Sequence, residues 1–553
     1  MKKGKSMNTK TVKSSKINKV FFILAIILLT IILCLTYVHF GSTNIGYDGD
    51  EVFSYLSSNA EQGYKKLAAL KDHTWYPSSY FRNALSVPSS CQFHYEIPIR
   101  NQATDVHPPI YYMLLHTICS FFPESFSMWY GISLNILLTL LSLIVLFFLL
   151  RHLIGGNYLP LFTCFLFGMT YGVINNMLFI RMYVLLMLLV TLQYYYHLHL
   201  YSSLLKRVDK WKPRQLITLS LITITGTLSQ YYFLIFLFWL ALIFCTVLQI
   251  QKKTKALLQY ICTMAVSGIG CIVLYPTMLC HIFSGYRGEE AAHKLVKIQG
   301  VFEDMRDMLA ILSRQLANRH LGLVLLILLV WAIILLLCKK ISFKAILYSA
   351  VLAAPAALYF FTVTKISPYV IDRYITPVYG IIFGLIAAGF LFLAKTTVTN
   401  LSSRFLKYML CFICLLGGII TSFHQPGERM EQSRYWFADR NAAIKEYTEK
   451  NGSCIYISAD EYHWKIWSEF PSFMEFDNIY YLDGLQWKPL QDERLQQMDE
   501  ILVYIEDGVD ADKAKAYIRR ELGYRSCELA FESAFADGYL FSQPDAHPQA
   551  ADY

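Results

Sequence analysis

Residues 20–40 read VFFILAIILLTIILCLTYVHF, an uninterrupted apolar run that follows a lysine-rich stretch. A helix of this length can cross the ~30 Å hydrocarbon core of a bilayer. A cleaved signal peptide has a shorter apolar core and a small-residue cleavage site, whereas this run ends in Tyr-Val-His-Phe. We therefore predict a retained first transmembrane helix, with residues 1–19 as a basic cytoplasmic N-terminus.

Similar apolar runs recur along the chain. Of its 553 residues, 55% are hydrophobic and 16% are charged, against about 25% charged residues in an ordinary soluble domain. Spans are predicted near residues 20–40, 129–150, 158–176, 181–201, 215–231, 232–250, 257–282, 321–338, 344–363, 375–394 and 408–423. The sequence therefore predicts an all-α polytopic membrane protein with about 11 transmembrane helices, in which residues 20–423 form the transmembrane domain.

Basic residues decide the predicted orientation. The segment Pro108–Phe122 is apolar but short of a span, and if it is an interfacial or re-entrant helix, four basic clusters fall on one side. The clusters lie at residues 206–214, 252–255, 339–340 and 395–407. By the positive-inside rule that side is cytoplasmic, which also accounts for the net charge of +9 without a nucleic-acid partner. Loop 41–128 and residues 424–553 are then extracytoplasmic, in a multi-pass protein of the bacterial plasma membrane.

Two extracytoplasmic regions carry regular patterns. In residues 424–553, helical patterns at 430–450 and 512–522 alternate with strand-like runs at 454–458 and 501–505, which predicts a small α/β domain. In the second outer loop, an apolar stripe from Val301 to Leu316 predicts a helix on the membrane surface. Cys454 and Cys527 could pair in an oxidising compartment, whereas Cys411 and Cys414 lie within an apolar run and are interpreted as packing residues.

Acidic residues open and close the first outer loop. It begins with Asp48, Asp50 and Glu51 just beyond the first span, and it ends with Asp105 and His107 before two prolines. A carboxylate at the membrane surface can act as a general base. The alternative is a solvated turn, since Asp-Gly is a turn signal, and a surface role for the histidine.

Cationic residues lie at the outer ends of predicted helices. These residues are Arg181, Arg287, Lys365 and Arg373. Charges at this depth are costly and point to function, although long side chains can also snorkel to lipid headgroups.

The order of several motifs resembles one family. The motifs are Asp50-Glu51 after the first helix, Asp105-x-His107-Pro-Pro-x-Tyr-Tyr, Arg181-Met-Tyr183, Ser229-Gln-Tyr231-Tyr-Phe and Arg373-Tyr374 with Pro377. Together they resemble the GT-C superfamily of polyprenyl-phosphate-sugar-dependent membrane glycosyltransferases, in particular the protein O-mannosyltransferase and lipid A aminoarabinose transferase group. The resemblance covers roughly residues 20–400 and does not extend to the C-terminal domain.

The resemblance implies a catalytic carboxylate in the first outer loop, which maps onto Asp50. Asp48 is its main competitor, and Glu51 is expected to orient a neighbour. The family often has a second acidic residue in the next outer loop, but residues 175–180 read NNMLFI without a carboxylate. The sequence identifies no cofactor and leaves a divalent metal open, for which Glu51 and His107 would be ligands.

The predicted function is transfer of a sugar from a polyprenyl-phosphate carrier to an extracytoplasmic protein, cell-wall polymer or lipid. The resemblance implies an inverting mechanism. The residues expected to bind the substrates are Asp105, His107, Arg181, Tyr183, Tyr231, Arg287, Lys365, Arg373 and Tyr374. Two alternatives remain. One is a transporter or lipid flippase, and the other is a non-catalytic scaffold whose tail (residues 424–553) is a binding module.

Overall fold

The computed structural model describes residues 4–63, 70–205, 210–297, 299–399, 428–459 and 464–543. The span expected at 408–423 and the Cys411/Cys414 pair lie outside these residues. The chain divides into two compact units. The membrane unit comprises Met1–Gly41, Asp105–Tyr111 and Ile132–Pro426, and the sheet unit comprises Ser42–Thr104, Tyr112–Gly131 and Gly427–Tyr553.

Long apolar helices build the membrane unit. Its helices are Gly4–Ser42, Met128–Ile154, Tyr158–Gly168, Tyr171–Leu178, Tyr183–Leu205, Pro213–Thr227, Tyr232–Ile250, Thr254–Leu274, Met278–Phe283, Tyr286–Val296, Val301–Ala317, Leu321–Leu337, Phe343–Ile366 and Tyr379–Thr399. Single 3₁₀ turns at Asp372–Tyr374 and Thr376–Val378 precede the last of these. Large apolar side chains are exposed along helices such as Leu321–Leu337, as expected where lipid replaces water.

By length and composition, 6 helices of the described chain can cross a membrane, or up to 8 if two bent pairs each form one span. The pairs are Tyr158–Gly168 with Tyr171–Leu178, bent by 59°, and Val301–Ala317 with Leu321–Leu337, bent by 83°. The predicted polytopic membrane fold is therefore confirmed.

Two predicted spans differ from simple apolar helices. Helix Tyr183–Leu205 is long enough but carries buried polar residues that bond to neighbouring helices: Gln193 Nε2 donates to Thr223 Oγ1 at 3.1 Å, and His197 Nε2 lies 2.9 Å from the Tyr260 hydroxyl. The predicted span at 215–231 is a helix of only 15 residues, Pro213–Thr227. A count of spans by apolar composition alone is therefore too low for helices that are surrounded by other helices.

Two segments expected at the membrane surface are helical. Pro108–Phe122 contains the helix Ile110–Ser120, whose 11 residues make it about half as long as the bilayer core is thick. The stripe in the second loop lies on helix Val301–Ala317, which buries Met308, Leu312 and Leu316 but exposes Leu309.

The described residues of the sheet unit form a sheet of six strands. They are β1 (Thr74–Pro77), β2 (Ser453–Ser458), β3 (Asn478–Asp483), β4 (Glu500–Glu506), β5 (Ser526–Phe531) and β6 (Ala536–Ser542), in the order β1-β3-β2-β4-β6-β5. Strand β2 pairs in parallel with β3 and β4, and the other pairs are antiparallel. The helices are Gly49–Asn59, Ser78–Leu85, Glu96–Ala103, Ile110–Ser120, Glu428–Thr448, Trp464–Phe473, Glu493–Gln496 and Ala511–Leu522.

The central strands are buried on both faces, which explains their nearly continuous apolar sequences. Ile455, Ile457 and Val503 are fully buried in one core with helix Ala511–Leu522. This mixed sheet confirms the predicted small α/β fold near the C-terminus. Cys454 on β2 and Cys527 on β5 are free thiols, and two strands lie between theirs in the sheet.

The sheet also contains a strand from the first outer loop. In β1, Thr74 pairs with Tyr481 of β3, and Trp75 pairs with Tyr480. Loop residues 42–104 therefore belong to the same compact unit as the tail. The domain boundary at residue 424 stays a prediction.

Candidate active site

The acidic turn, residues 48–51, begins a helix of the sheet unit. Asp48 is the N-cap of helix Gly49–Asn59, and its Oδ1 accepts the Asp50 N–H at 2.9 Å. In return, Glu51 Oε2 accepts the Asp48 N–H at 2.7 Å. This reciprocal arrangement is a capping box, which satisfies backbone donors that the first helical turn leaves without partners. Two of the three carboxylates are thus part of the helix start.

Asp50 differs from these two residues. It lies in the first turn of the helix, is half-buried, and its carboxylate is not one of the two in the capping box. The positive end of the helix dipole favours an ionised carboxylate at this position. The capping box therefore involves the side chains of Asp48 and Glu51 and not that of Asp50.

The rest of this helix is tightly enclosed within the sheet unit. Val52, Tyr55 and Leu56 are fully buried, and the Phe53 ring stacks on Trp467 with centroids 5.8 Å apart. At the other end, the Asn101 amide donates to the carbonyls of Ser57 (3.2 Å) and Ala60 (3.1 Å). The helix that carries Asp50 is therefore fixed along its length.

Two tail helices hold the segment that leads into the turn. From helix Glu428–Thr448, the Asn441 amide donates to the Ile45 carbonyl at 2.8 Å. A side chain at Gly46 would overlap the Phe437 ring, and a Cβ at Gly49 would lie 2.6 Å from Ser468 Oγ on helix Trp464–Phe473. Small residues at 46 and 49 thus allow close approach of the tail.

A buried ion pair joins these two tail helices. Arg440 Nη1 lies 3.0 Å from Glu469 Oε2, and the two side chains are 7% and 1% exposed. The Ser472 hydroxyl also donates to Glu469 at 3.1 Å. Removing one partner of such a pair leaves an uncompensated charge and typically costs about 3–5 kcal/mol. The intact ion pair therefore helps to stabilise the two tail helices that hold the acidic turn.

In the membrane unit, Asp105 and His107 form a close pair. The His107 Nδ1 lies 2.8 Å from Asp105 Oδ2. The His107 side chain is 18% exposed and the Asp105 side chain is 10% exposed. Burial raises the pKa of Asp105, but the His107 contact and the charge of Arg181 outweigh burial and hold the pKa below its usual value. Arg181 is itself 4% exposed. The structure thus brings together three of the predicted binding residues.

Tyrosines surround this pair. Asp105 lies within electrostatic reach of the hydroxyls of Tyr231, Tyr275 and Tyr286. The Tyr231 hydroxyl bonds to His281 Nδ1 at 3.0 Å, and the Tyr275 ring packs on the same imidazole. Tyr275 and His281 were not predicted, because neither belongs to a recognisable motif.

A second group in this unit is the arginine–tyrosine cluster, defined as Arg287, Arg373, Tyr183, Tyr232 and Tyr374. The Arg373 guanidinium lies 5.6 Å from the centroid of the Tyr374 ring, and that ring contacts Tyr183 and Tyr232 at 6.3 and 5.3 Å. The charges of Arg287 and Arg373 both reach the Tyr232 hydroxyl. Arg287 also pairs with Glu290 at 2.8 Å.

Asp372 is a further residue that sequence reasoning missed. It is 8% exposed, and its Oδ2 accepts from Asn175 Nδ2 at 2.6 Å and from Gln315 Nε2 at 3.0 Å. Its Oδ1 accepts the Arg373 N–H at 2.8 Å. A carboxylate thus lies against residue 175 in space, although segment 175–180 contains none. The available signal was its position beside Arg373 in an otherwise apolar stretch.

Lys365 is placed differently from the arginines. Its Nζ bonds to the Lys297 carbonyl, and Lys294 Nζ bonds to the carbonyls of Ser367 and Pro368 at 2.8 and 2.7 Å. These lysines thus connect the segment around Lys297 with the segment around Ser367. Among the described residues, no group of three or more His, Cys, Asp or Glu side chains could hold a metal ion.

No family model matches this sequence, and no curated protein is similar to it in sequence. The fold is similar to ArnT from Cupriavidus metallidurans bound to undecaprenyl phosphate, with a TM-score of 0.50, 10% identity, and coverage of 95% of this chain and 99% of that chain. The apo state of that ArnT gives a TM-score of 0.44 at 10% identity, covering 95% and 99%. The archaeal oligosaccharyltransferase AglB from Archaeoglobus fulgidus, in complex with an inhibitory peptide and a dolichol-phosphate, gives 0.45 at 10% identity, covering 96% and 75%.

The similarity to ArnT bound to undecaprenyl phosphate extends over nearly the whole of both chains. It confirms, for the fold, the resemblance that the order of motifs indicated. This chain therefore has the same fold as that ArnT structure.

Proposed function

We propose that this protein is a membrane glycosyltransferase that moves a sugar from a polyprenyl-phosphate carrier to an extracytoplasmic acceptor. The observation that carries the proposal is the arginine–tyrosine cluster, together with Asp105, His107 and Arg181, in a chain of GT-C fold. Undecaprenyl phosphate is bound in the ArnT structure to which the fold is similar.

The arginine–tyrosine cluster suits the departing phosphate. When the bond between the anomeric carbon and the phosphate oxygen breaks, negative charge grows on the phosphate, and guanidinium groups stabilise it with charge-assisted hydrogen bonds. Arg287 pairs with Glu290, and the two side chains are 38% and 36% exposed, so the guanidinium stays accessible to a ligand. The isoprenoid chain of the carrier remains in the hydrocarbon beside the exposed apolar helices.

Asp50 suits the role of general base. It removes the proton from the acceptor hydroxyl or amine, whose oxygen or nitrogen then attacks the anomeric carbon as the polyprenyl phosphate leaves. Asp48 and Glu51 form the capping box that begins the helix, and Asp50 lies in the first turn of that helix. The inverting outcome is implied by the family resemblance.

The proposed location is a bacterial plasma membrane, with loop 41–128 and residues 424–553 on the extracytoplasmic side. Support comes from the basic residues that follow the helix ends Ile250, Leu337 and Thr399 along the chain. By the positive-inside rule, these basic residues favour a cytoplasmic position for those helix ends and an extracytoplasmic position for the opposite ends.

The test is a transfer assay with the purified full-length protein in lipid nanodiscs. Each of a panel of undecaprenyl-phosphate sugars carries a radiolabel in the sugar, and a cell-envelope fraction supplies acceptors. We expect one donor to release undecaprenyl phosphate and its label to enter the envelope fraction. Consumption of no donor would contradict the proposal. A parallel experiment in sealed vesicles detects the rival activity, since a flippase moves the labelled lipid between leaflets without releasing its sugar.

A further inference from the structure

An open surface cavity of about 380 Å³ lies in the sheet unit, where β1 of the first outer loop pairs with β3 of the tail. Its polar lining consists of Asp72, His73, Tyr480, Lys488, Gln491 and Asp492. None of these residues belongs to the acidic turn or to the arginine–tyrosine cluster. Its volume falls in the range of small-molecule sites, about 300–1,000 Å³.

Both carboxylates of this cavity are held in fixed positions. Asp72 accepts the Asp483 N–H through Oδ1 and Lys488 Nζ through Oδ2, each at 2.9 Å. Asp492 accepts the Trp75 indole N–H through Oδ2 at 2.8 Å, while its Oδ1 caps helix Glu493–Gln496. An ionised carboxylate has about four acceptor sites, so each retains capacity for a ligand.

Tyr480 lines the cavity, and its ring is held by two neighbouring rings. The Tyr480 ring lies 4.9 Å from the Trp75 ring and 6.1 Å from the His73 ring. The Tyr480 hydroxyl is 3.3 Å from His73 Nδ1. His73 has a φ of 52°, a left-handed conformation that is uncommon for residues other than glycine.

The chemistry of the wall selects among ligands. Asp72 and Asp492 outweigh the single charge of Lys488, which disfavours a phosphate or another anion. Hydroxyl groups both donate and accept, so they can bond to carboxylates, an amide and an imidazole in the same cavity. The Tyr480 ring offers an apolar contact for the C–H groups of a pyranose. We propose that this cavity binds an uncharged sugar ring.

The ring belongs to the acceptor, and this part of the assignment rests on the proposed glycosyltransferase function. The cavity and the proposed base Asp50 lie in the same compact unit, whereas the cationic cluster proposed for the donor phosphate lies in the other. A unit that positions the acceptor can thus also deprotonate it. The acceptor would then be a glycan, a glycolipid or a glycosylated polymer.

Binding is tested by saturation-transfer NMR on the full-length protein in detergent micelles. The probes are the methyl glycosides of glucose, galactose, mannose and N-acetylglucosamine, with empty micelles as background. We expect signal for at least one glycoside and a loss of affinity of roughly 2- to 10-fold in Gln491→Ala, the effect of one hydrogen bond. Gln496→Ala is the matched control, since this exposed glutamine lies on helix Glu493–Gln496 and does not line the cavity.

Signal no greater than that of empty micelles, or equal affinity in Gln491→Ala and wild type, would overturn sugar binding. The transfer assay separates the two sources of the ring. A raised KM for the acceptor in Gln491→Ala supports the acceptor assignment, and a raised KM for the donor overturns it. Failure of the proposed function is distinguishable, because the wild-type protein would then bind the glycoside without transferring sugar.

Discussion

The acidic turn and the arginine–tyrosine cluster are organised over very different distances along the chain. In the turn, Asp48 and Glu51 bond to backbone groups two and three residues away. Around Arg373, the neighbouring Asp372 bonds to Asn175 and Gln315, which are 197 and 57 positions away. The first pattern can be recognised in a short stretch of sequence, whereas the second exists only after the helices have packed.

The largest expected effect concerns Asp50. Asp50→Asn keeps the size of the side chain but removes its ability to accept a proton, so we expect turnover to fall by about 10²–10⁴-fold. Sugar transfer by the purified variant measures this effect, with thermal stability as the control. Near-normal turnover would move the base to another residue and remove the functional distinction within the turn.

A smaller effect is expected for Arg373→Ala in the arginine–tyrosine cluster. Loss of one charge-assisted hydrogen bond to the donor phosphate costs about 1.5–3 kcal/mol, which corresponds to about 10- to 100-fold weaker donor use. The matched control is Arg306→Ala, because the Arg306 side chain is 74% exposed and forms an ion pair with the neighbouring Asp307. Equal donor KM values in the two variants would make Arg373 a headgroup anchor.

The smallest effect is expected for Glu51→Gln, and it should appear in stability. The neutral amide can still accept the Asp48 N–H but lacks the charge, so we expect a loss of about 1 kcal/mol, the difference between a charged and a neutral hydrogen bond. Chemical denaturation of the full-length protein measures the change. A fall in turnover as large as that of Asp50→Asn, with unchanged stability, would show that Glu51 takes part in the chemistry.

Much of the fold follows from apolar length and periodicity. Runs of about twenty apolar residues specify spans wherever a helix faces lipid, and the strands at 453–458 and 500–506 stand out because both faces are buried. Strand β1 was not predicted. Its four residues, Thr-Trp-Tyr-Pro, are too few to show alternation, and a terminal proline argues against a strand.

The candidate site was predictable only in part. Motif order made Asp50, Asp105, Arg181 and Arg373 candidates, because each lies in a short distinctive segment, and their roles stay predictions. It could not identify Asp372, whose partners come from two other helices. The buried pair Arg440–Glu469 could not be predicted for the same reason, since the two residues lie 29 positions apart on separate helices.

Strand β1 also constrains the time course of biosynthesis. The Trp75 indole bonds to Asp492, 417 positions later in the chain. At about 5–20 residues per second of synthesis, the first loop exists for roughly 20–80 s before its partner strand has left the ribosome. During this interval Trp75, Tyr76 and the cavity residues Asp72 and His73 lack their neighbours in the finished sheet. Completion of the sheet unit is therefore a late step, which follows synthesis of the transmembrane helices. Until the tail has been synthesised, the first loop lacks the strand that covers β1.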